Sequence, residues 1–436
     1  MGLEPKQGLF GVALTVPAVT WAIGVDGAAS FQIVAGEELG IGARTLGIGL
    51  GLGVLSVPLQ LWAAQLPLWQ ARRNLQLFLV VTGVLAWALA GLVVFAPPGS
   101  PWATSALAIA VTAEIVLSVF YATSWQPLQS YVLTSRQRQR ISSWGRAASW
   151  TLLAASLVLF GWAGTPGRVL ILLALGVLPM GLAVLVRRVP APPRPTTAGE
   201  GKVDSESEGA AGDRPAGPGP RPRLPREFVA LCVTAGITTF TGWPLFVTYA
   251  GDVLWPSVNL GVLAAIQLGG GIVAGLTWRA TVTGLVGRAR IGAAGLVLAT
   301  GVLALVPAPV TGGVAGAVTL AAAVTWSLAY WTLLTAMMEV AHQVLDHDVT
   351  VRAFTIYDVV VSTAMQVGLL VSGFLVAASA GSGWPVDPYR AFLLVGATAV
   401  LLTTCRRNWP GPRWAARADE EGDREPAGAA AAATGS

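Results

Sequence analysis

Three carboxylates lie inside long apolar stretches of the sequence, where acids are rare. They are Asp26 in WAIGVDGAASFQIV, Glu114 in ALAIAVTAEIVLSVFY and Asp358 in FTIYDVVV. A charged side chain at the centre of a bilayer costs about 2.5–3.5 kcal/mol even on lenient insertion scales, so such residues usually face a cavity or a partner. Burial, or a second acid nearby, favours the neutral carboxyl and lets it bind and release protons. We therefore expect Asp26 and Glu114 to carry proton coupling.

Each acid also has a structural interpretation. Asp26 and Glu114 could be hydrogen-bonded between helices, or could open to the outer water layer. Asp358 follows Arg352 by about two helical turns. Two roles stay open for it: proton coupling or an inner gate formed with a basic residue, and a structural ion pair or a side chain that snorkels to the interface.

Aromatic and amide side chains in the same apolar stretches indicate a site for an organic ligand. Trp326 and Tyr330 are spaced i, i+4 and share one face of a helix. Stacking or cation–π contacts with such rings suit a flat or cationic molecule. Ordinary packing is the alternative for each ring. The further candidates for lining a substrate cavity are Trp21, Gln32, Trp243 and Gln366.

The segment HQVLDHD at 342–348 holds the one cluster with metal-ligand residue types. It carries no HExxH or paired CxxC pattern, so a solvated inner loop is the preferred interpretation. We expect no metal site, no catalytic residues and no cofactor. The sequence also lacks a GxxxxGK[ST] phosphate-binding loop, which indicates that the chain does not hydrolyse ATP.

The elements that position these residues are membrane-spanning helices. The chain has 436 residues, of which 54% are hydrophobic and 11% are charged, whereas soluble domains have about 25% charged residues. About 20 apolar residues cross a bilayer as a helix. Twelve such helices are predicted, numbered 1 to 12 in chain order, near 9–34, 43–66, 75–96, 103–124, 146–163, 168–187, 228–250, 257–278, 291–309, 313–338, 353–377 and 387–405.

The helices divide into two groups of six around a polar stretch. Residues 189–226 are rich in Pro, Gly and charge and cannot bury an apolar face, so they predict a disordered cytoplasmic linker. The tail 408–436 has the same character. The remaining ranges, 1–188 and 227–407, form the predicted N-terminal and C-terminal bundles. Gly-rich GIGLGLG in helix 2 and GGGIVAG in helix 8 support an internal repeat.

Basic residues set the predicted orientation. Most arginines near helix ends fall on one side, which the positive-inside rule makes cytoplasmic, and both termini then lie there. The 25 arginines against two lysines fit a bacterial protein of the plasma membrane. The arginines proposed for the inner gate or its loops are Arg72, Arg73, Arg146, Arg288 and Arg352.

This layout resembles the major facilitator superfamily of secondary transporters. The signature of that family between helices 2 and 3 reads Gly, three residues, Asp-Arg, one residue, Gly-Arg-Arg. AQLPLWQARR at 64–73 keeps only the final arginine pair, and GRAR at 287–290 resembles the second copy. Helix 4 has Glu114 where drug exporters of the family have Arg, and helix 5 lacks their Gly-Pro motif. The resemblance implies that helices 1, 4, 7 and 10 line a central cavity.

The predicted fold is therefore an all-α integral membrane protein with twelve helices in two pseudo-symmetric six-helix bundles. The predicted function is proton-coupled export of a small hydrophobic organic compound by alternating access. Uptake of a small metabolite is the alternative within the same fold, and an integral-membrane transferase or a scaffold working through the linker are alternatives of other classes. We expect a monomer whose partners are the substrate, protons and membrane lipid, with no nucleic acid.

Overall fold

All regular structure in the described part of the chain is helical. The computed structural model describes residues 32–63, 66, 68–110, 112–113, 120, 124, 128, 151, 154–187, 189, 226–276, 282–344, 347–381, 387–406 and 409. Helical residues occur in each of the twelve predicted spans. The predicted linker and tail lie almost entirely outside the described residues.

The helix boundaries follow the apolar stretches. Helix 1 is described from residue 32 and ends in a π-helical turn at Val34–Glu38, and residues 101–110 and 154–162 are the described parts of helices 4 and 5. Helix 7 is divided, with segments at Arg226–Phe240, Phe246–Tyr249 and a π-helical turn at Ala250–Leu254. Helices 2, 3, 6, 8, 9, 10, 11 and 12 span Ala43–Ala63, Ala71–Phe95, Thr165–Val186, Leu260–Leu276, Val282–Leu305, Gly313–Val344, His347–Gly381 and Pro388–Thr404.

Length and composition qualify six of the described helices as candidate membrane spans. These are the apolar parts of helices 2, 3, 6, 9, 10 and 11, and two shorter apolar helices lie at Leu260–Ala274 and Pro388–Thr404. The expectation of an all-helical membrane fold is confirmed.

Several helices extend beyond the predicted spans into the polar layer. Helix 3 begins at Ala71 and helix 9 at Val282, so Arg72, Arg73 and Arg288 lie on helices. Arg352 likewise lies within helix 11, near its beginning. The physical reason is that arginine is a good helix former whose long side chain can reach water from a helix end.

Two buried clusters form the core. One is built mainly from helices 7 to 12, with Trp243, Tyr249 and Trp326 among its largest side chains. The other is built mainly from the first six helices and includes Ile33 and Phe160, but residues of helices 7, 8 and 11 also join it. The two groups of helices are therefore in direct contact.

Glycines make close backbone contacts between the two groups. A Cβ added at Gly47 of helix 2 would lie 2.7 Å from the Cα of Gly373 in helix 11. A Cβ added at Gly161 of helix 5 would lie 2.5 Å from the Cα of Gly261 in helix 8. Small residues let membrane helices approach to backbone contact. Both pairs lie near the predicted outer ends of their helices, and we name these contacts the outer seam.

Candidate functional site

The break in helix 7 is the main irregularity among the described spans. The sequence TGWPL at 241–245 separates its segments, and Trp243 and Leu245 have φ angles of 54° and 57°. Bulky residues rarely adopt positive φ, and such strain persists only where the surrounding structure enforces it. Helix 7 was predicted to be continuous over 228–250, and this was wrong. Discontinuous helices in transporters often border the substrate site.

Side chains from neighbouring helices satisfy the backbone carbonyls at the break. The amide of Gln267 in helix 8 donates to the Trp243 carbonyl at 3.3 Å. The hydroxyl of Tyr389 in helix 12 donates to the Pro244 carbonyl at 2.6 Å. The indole N–H of Trp243 is buried and has no hydrogen-bond partner among the described residues. One donor at the break is thus left available.

Three of the predicted cavity residues form one aromatic stack. The rings of Trp243 and Trp326 are stacked with centroids 4.8 Å apart, and those of Trp326 and Tyr330 are stacked at 4.7 Å. Trp243 and Trp326 are 1% and 2% exposed, so their faces are closed on each other in this conformation. Tyr330 is partly exposed, and its ring packs edge-on against Trp331 with centroids 5.3 Å apart. The break and helix 10 therefore act as one packed unit.

Helix 8 is connected to that unit by a second set of hydrogen bonds. The hydroxyl of Ser327 and the indole N–H of Trp331, both in helix 10, donate to the Gln267 carbonyl at 2.9 and 3.1 Å. The backbone N–H of Gly270 donates to the Ser327 hydroxyl at 2.8 Å. Gln267 thus links helices 7, 8 and 10 through its side chain and its carbonyl.

Gln32 lies at a contact between helices 1 and 7. The Thr248 hydroxyl donates to its side-chain oxygen at 3.2 Å, and both residues are buried. The two helices end alike, each in a π-helical turn. The number of residues from Asp26 to Val34, where the turn of helix 1 begins, equals the number from Gly242 to Ala250, where the turn of helix 7 begins. Asp26 and Trp21 lie outside the described residues.

Only one of the three predicted acids is described. Asp358 lies in helix 11 within the candidate span Ile356–Ala380, and its side chain is partly exposed. It has no hydrogen bond or ion pair with the side chains that the structure describes, and the side chain of Arg352 is not among them. Glu114 lies outside the described residues.

Helix 11 carries a polar stripe that starts at this acid. Ser362 and Gln366 follow Asp358 at i+4 and i+8, so they share one side of the helix. Gln60 of helix 2 donates to the Ser362 hydroxyl at 3.1 Å and to the Ser56 hydroxyl at 3.2 Å. Gln366 was among the predicted cavity residues, whereas Gln60 and Ser362 were not predicted. The regular spacing along helix 11 was the available signal.

The proposed inner arginines are dispersed where they are described. Arg72, at the start of helix 3, donates to the carbonyl of Val189 at 3.3 Å, and Val189 follows the end of helix 6 in the same group. Arg73 is exposed and Arg288 is partly buried. Arg146 and the side chain of Arg352 lie outside what the structure describes. The contact of Arg72 therefore lies within the first group of helices.

Two buried arginines at the predicted outer ends form a repeated element that the sequence interpretation missed. Arg168, in TPGR at the start of helix 6, pairs with Glu37 and Glu38 of helix 1 at 2.6 and 2.7 Å. Arg390, in DPYR at the start of helix 12, donates to the Tyr249 hydroxyl of helix 7 at 2.6 Å. The shared spacing of Pro and Arg was the readable signal. Each arginine ties the last helix of its group to the first.

In the described part of the chain, no group of three or more His, Cys, Asp or Glu side chains is arranged to hold a metal ion. His342 lies in helix 10 and His347 begins helix 11, so these residues flank a shorter loop than expected.

Comparison with known proteins identifies the fold. No family model matches the sequence, and no curated protein matches it. The xylose transporter XylE of E. coli in an inward-open conformation is similar in structure, with a TM-score of 0.62, 13% identity and coverage of 91% of this chain and 95% of that one. The nucleoside transporter NupG (D323A mutant) has a TM-score of 0.60 and 9% identity, over 92% and 98% of the chains.

A bacterial homologue of the iron transporter ferroportin in its inward-facing state gives a TM-score of 0.58 at 14% identity, over 93% of this chain and 100% of that one. A xylose transporter, a nucleoside transporter and a homologue of an iron transporter share this architecture, so the likeness concerns architecture and not substrate. The chain therefore shares the overall fold of these solved transporter structures.

Proposed function

We propose that this chain is a secondary active transporter that exports a small hydrophobic organic compound in exchange for protons. The observation that carries the proposal is the strained break of helix 7, where an unpaired indole N–H lies beside an aromatic stack. The solved structures that share this fold are those of transporters, which favours a transporter over the transferase considered above. Uptake of a small metabolite remains the alternative.

The outer seam supports alternating access. The described helices of the two groups touch through Gly47 and Gly373, and through Gly161 and Gly261. The Asn259 side chain of helix 8 adds a hydrogen bond to the Gly161 carbonyl at 3.2 Å. Contacts of this kind hold the groups together on the predicted outer side. We propose that they separate when the site opens outward, while residues 1–188 and 227–407 move as bundles.

The character of the site favours an apolar substrate that carries a hydrogen-bond acceptor. Trp243, Trp326 and Tyr330 supply aromatic surface, and the Trp243 indole supplies one donor. Gln32 and Gln366 are amides that lie near the boundary between the two groups. We assign Trp21 to the same cavity from its place in helix 1.

We assign proton coupling to Asp26 and Glu114, with Asp358 as a third protonation site. Asp358 supports this because it lies in a membrane helix without a cationic partner among the described residues. The ionised form of such a carboxyl is unfavourable, so substrate movement and protonation can be linked. We further propose a monomer in the plasma membrane, with both termini on the cytoplasmic side.

Inside-out membrane vesicles with an acid interior test the proposal. Lumenal pH is recorded by dye fluorescence while a panel of amphiphilic organic compounds is added, for the wild type and for Asp26→Asn. We expect the wild type to release protons from the lumen when a transported compound is added, and the Asp26→Asn variant to lose at least about 90% of that response.

Equal responses in both proteins would remove Asp26 from the coupling path. A silent wild type, beside a control transporter that responds, would contradict proton-coupled export of these compounds. Right-side-out vesicles would then be used to test uptake of small metabolites.

A further inference from the structure

We propose that the predicted outer ends of helices 9 and 10 form a groove that binds one acyl chain of a membrane phospholipid. The ligand is lipid and not the transported compound, and no residue of the break in helix 7 lines the groove. The groove lies where the two helices meet the loop that joins them, and its volume is about 600 Å³. Cavities that bind small organic ligands have similar volumes.

Two apolar stripes, one from each helix, line this groove. The end of helix 9 contributes the first stripe, and the first two turns of helix 10 contribute the second. Within each stripe the positions are three or four residues apart, so they share one side of the helix. The stripe residues are Val302, Leu305, Val306, Val314, Ala315 and Val318. The described lining carries no charge, and its one side-chain hydroxyl belongs to Thr311 in the loop, so the occupant is apolar.

Hydrogen bonds hold the floor of the groove in place. Val306 is buried in the core built mainly from helices 7 to 12, and its carbonyl accepts a hydrogen bond from the Arg390 guanidinium. The backbone N–H of Val310, in the loop, donates to the Leu254 carbonyl at the end of helix 7 at 2.7 Å. The groove is therefore formed before a ligand binds, and binding requires little ordering of the protein.

The position of the groove identifies the bilayer as the source of its occupant. Candidate membrane spans at Val286–Leu305 and Gly313–Met337 meet there. The rim is formed by Leu305 and Val314, which are 86% and 81% exposed. Covering such apolar surface is favourable. The predicted linker and tail lie on the opposite, cytoplasmic side, so the occupant is an acyl chain of the outer leaflet and not a segment of this chain.

The concave shape of the groove distinguishes it from an ordinary lipid-facing helix. A chain in the groove contacts helices 9 and 10 and their loop together, whereas a chain on a convex face contacts one helix. Burial of two further methylene groups is enough to raise affinity about tenfold. We therefore expect saturable binding in the groove and non-saturable contact at other lipid-facing surfaces.

Photolabelling of the purified full-length protein tests the groove. The protein is reconstituted in vesicles of phosphatidylethanolamine and phosphatidylglycerol, with an increasing fraction of phosphatidylcholine that carries a diazirine in one acyl chain. Labelled peptides are identified by mass spectrometry. Ala315→Trp places a large ring in the groove. Ala321→Trp is the matched control, because Ala321 is exposed on helix 10 and is not part of the lining.

We expect labelling within residues 302–318 to saturate in the wild type. Half-maximal labelling should require about tenfold more probe lipid in Ala315→Trp and the same amount in Ala321→Trp. Gly313→Phe keeps the test decisive if Ala315→Trp does not fold. A Cβ at Gly313 meets nothing within 4 Å, so a side chain begins there without a clash. This variant should weaken labelling as Ala315→Trp does, with a melting temperature near that of the wild type.

The proposal is overturned if labelling of 302–318 does not saturate, or if it equals labelling near the exposed Phe95 at the end of helix 3, since both results would indicate bulk lipid alone. Displacement of the probe by compounds of the vesicle panel, and not by unlabelled phosphatidylcholine, would indicate a substrate site instead. Labelling that weakens as the protein density in the vesicles rises would assign this face to a second copy of the chain. Lipid binding is measured without transport, so a silent vesicle assay leaves this outcome unaffected.

Discussion

Arg390 shows how a single charged residue is held at the edge of the membrane. Its guanidinium donates to the Tyr249 hydroxyl and to the carbonyls of Leu303 and Val306, and it pairs with Asp387 at 3.4 Å. Removing one partner of a buried ion pair leaves the other groups unsatisfied. The residue therefore stabilises the ends of helices 7, 9 and 12 together.

We predict that Arg390→Met lowers the free energy of unfolding by about 3–5 kcal/mol, because it breaks a buried ion pair. The measurement is reversible chemical unfolding of the purified protein in detergent. Arg406→Met is the matched control, since Arg406 is exposed. An equal effect of the two substitutions would contradict the assigned role of Arg390.

The indole N–H groups of Trp243 and Trp331 provide a second comparison at the residue scale. Replacing Trp by Phe removes an N–H that is unpaired at Trp243 but bonded to the Gln267 carbonyl at Trp331. We expect Trp331→Phe to be the more destabilising change, by about 1 kcal/mol. Thermal unfolding followed by tryptophan fluorescence checks this.

The same pair of variants tests the substrate site. We expect Trp243→Phe to raise the half-saturating concentration of a transported compound about tenfold in the vesicle assay, because the unpaired N–H is assigned to the substrate. Trp331→Phe should leave that concentration nearly unchanged. Similar values for both variants would remove the Trp243 N–H from the site.

The residues of the polar stripe show what the sequence could and could not reveal. Ser362 and Gln366 are spaced at helical turns from Asp358, and this pattern is visible in one linear segment. Gln60 comes from a helix some three hundred positions away in the chain, and its contact with Ser362 depends on how the two groups meet. No local pattern encodes that contact.

At the scale of single elements, the glycines of helix 8 have different surroundings. A Cβ at Gly261 would lie 2.3 Å from the Leu157 carbonyl of helix 5, whereas one at Gly269 meets nothing within 4 Å. Gly261 therefore permits helices 5 and 8 to pack closely, whereas Gly269 has no such packing role.

We predict that Gly261→Val opens the outer seam and that Gly269→Val does not. The reporter is Thr248→Cys, placed at the buried contact with Gln32, in a background with Cys232 and Cys405 replaced by Ser. Labelling by a membrane-impermeant maleimide in right-side-out vesicles should become several-fold faster only with Gly261→Val. Unchanged labelling in both would show that the seam tolerates the added side chain.

Helix existence was predictable from the sequence, but helix continuity was not. Runs of apolar residues are long and distinct, and each of the twelve predicted spans contains helical residues in the described part of the chain. Gly242 and Pro244 lie in the middle of helix 7, yet both residue types are common in membrane helices and do not by themselves predict a break. The break depends on hydrogen bonds from Gln267 and Tyr389, which are contributed by other helices.

At the scale of the whole molecule, the two groups of helices are joined by contacts that do not depend on chain continuity. The outer seam and the bond between Gln60 and Ser362 connect side chains and backbones far apart in sequence. We propose that the linker predicted at 189–226 serves as a covalent tether between the two bundles.

We predict that the chain can be cut within the linker without losing assembly. Residues 1–205 and 206–436, expressed together as two polypeptides, should co-purify through a tag on one of them, because the seam supplies the contacts. A cut at residues 311–312, between helices 9 and 10, is the control and should reduce the yield of assembled protein. Failure of the linker-cut pair to associate would contradict the division into two bundles.

We expect the glycine contacts of the outer seam to determine how the two groups of helices separate from each other. Backbones that touch without intervening side chains are held by dispersion, and a gap of about 0.5–1 Å already removes a quarter to a half of each contact's attraction. No long side chain at Gly47, Gly161, Gly261 or Gly373 can bridge a widening gap. We therefore expect partly separated states to be poorly stabilised, so that the seam opens abruptly once the glycine contacts and the bond from Asn259 to the Gly161 carbonyl are broken.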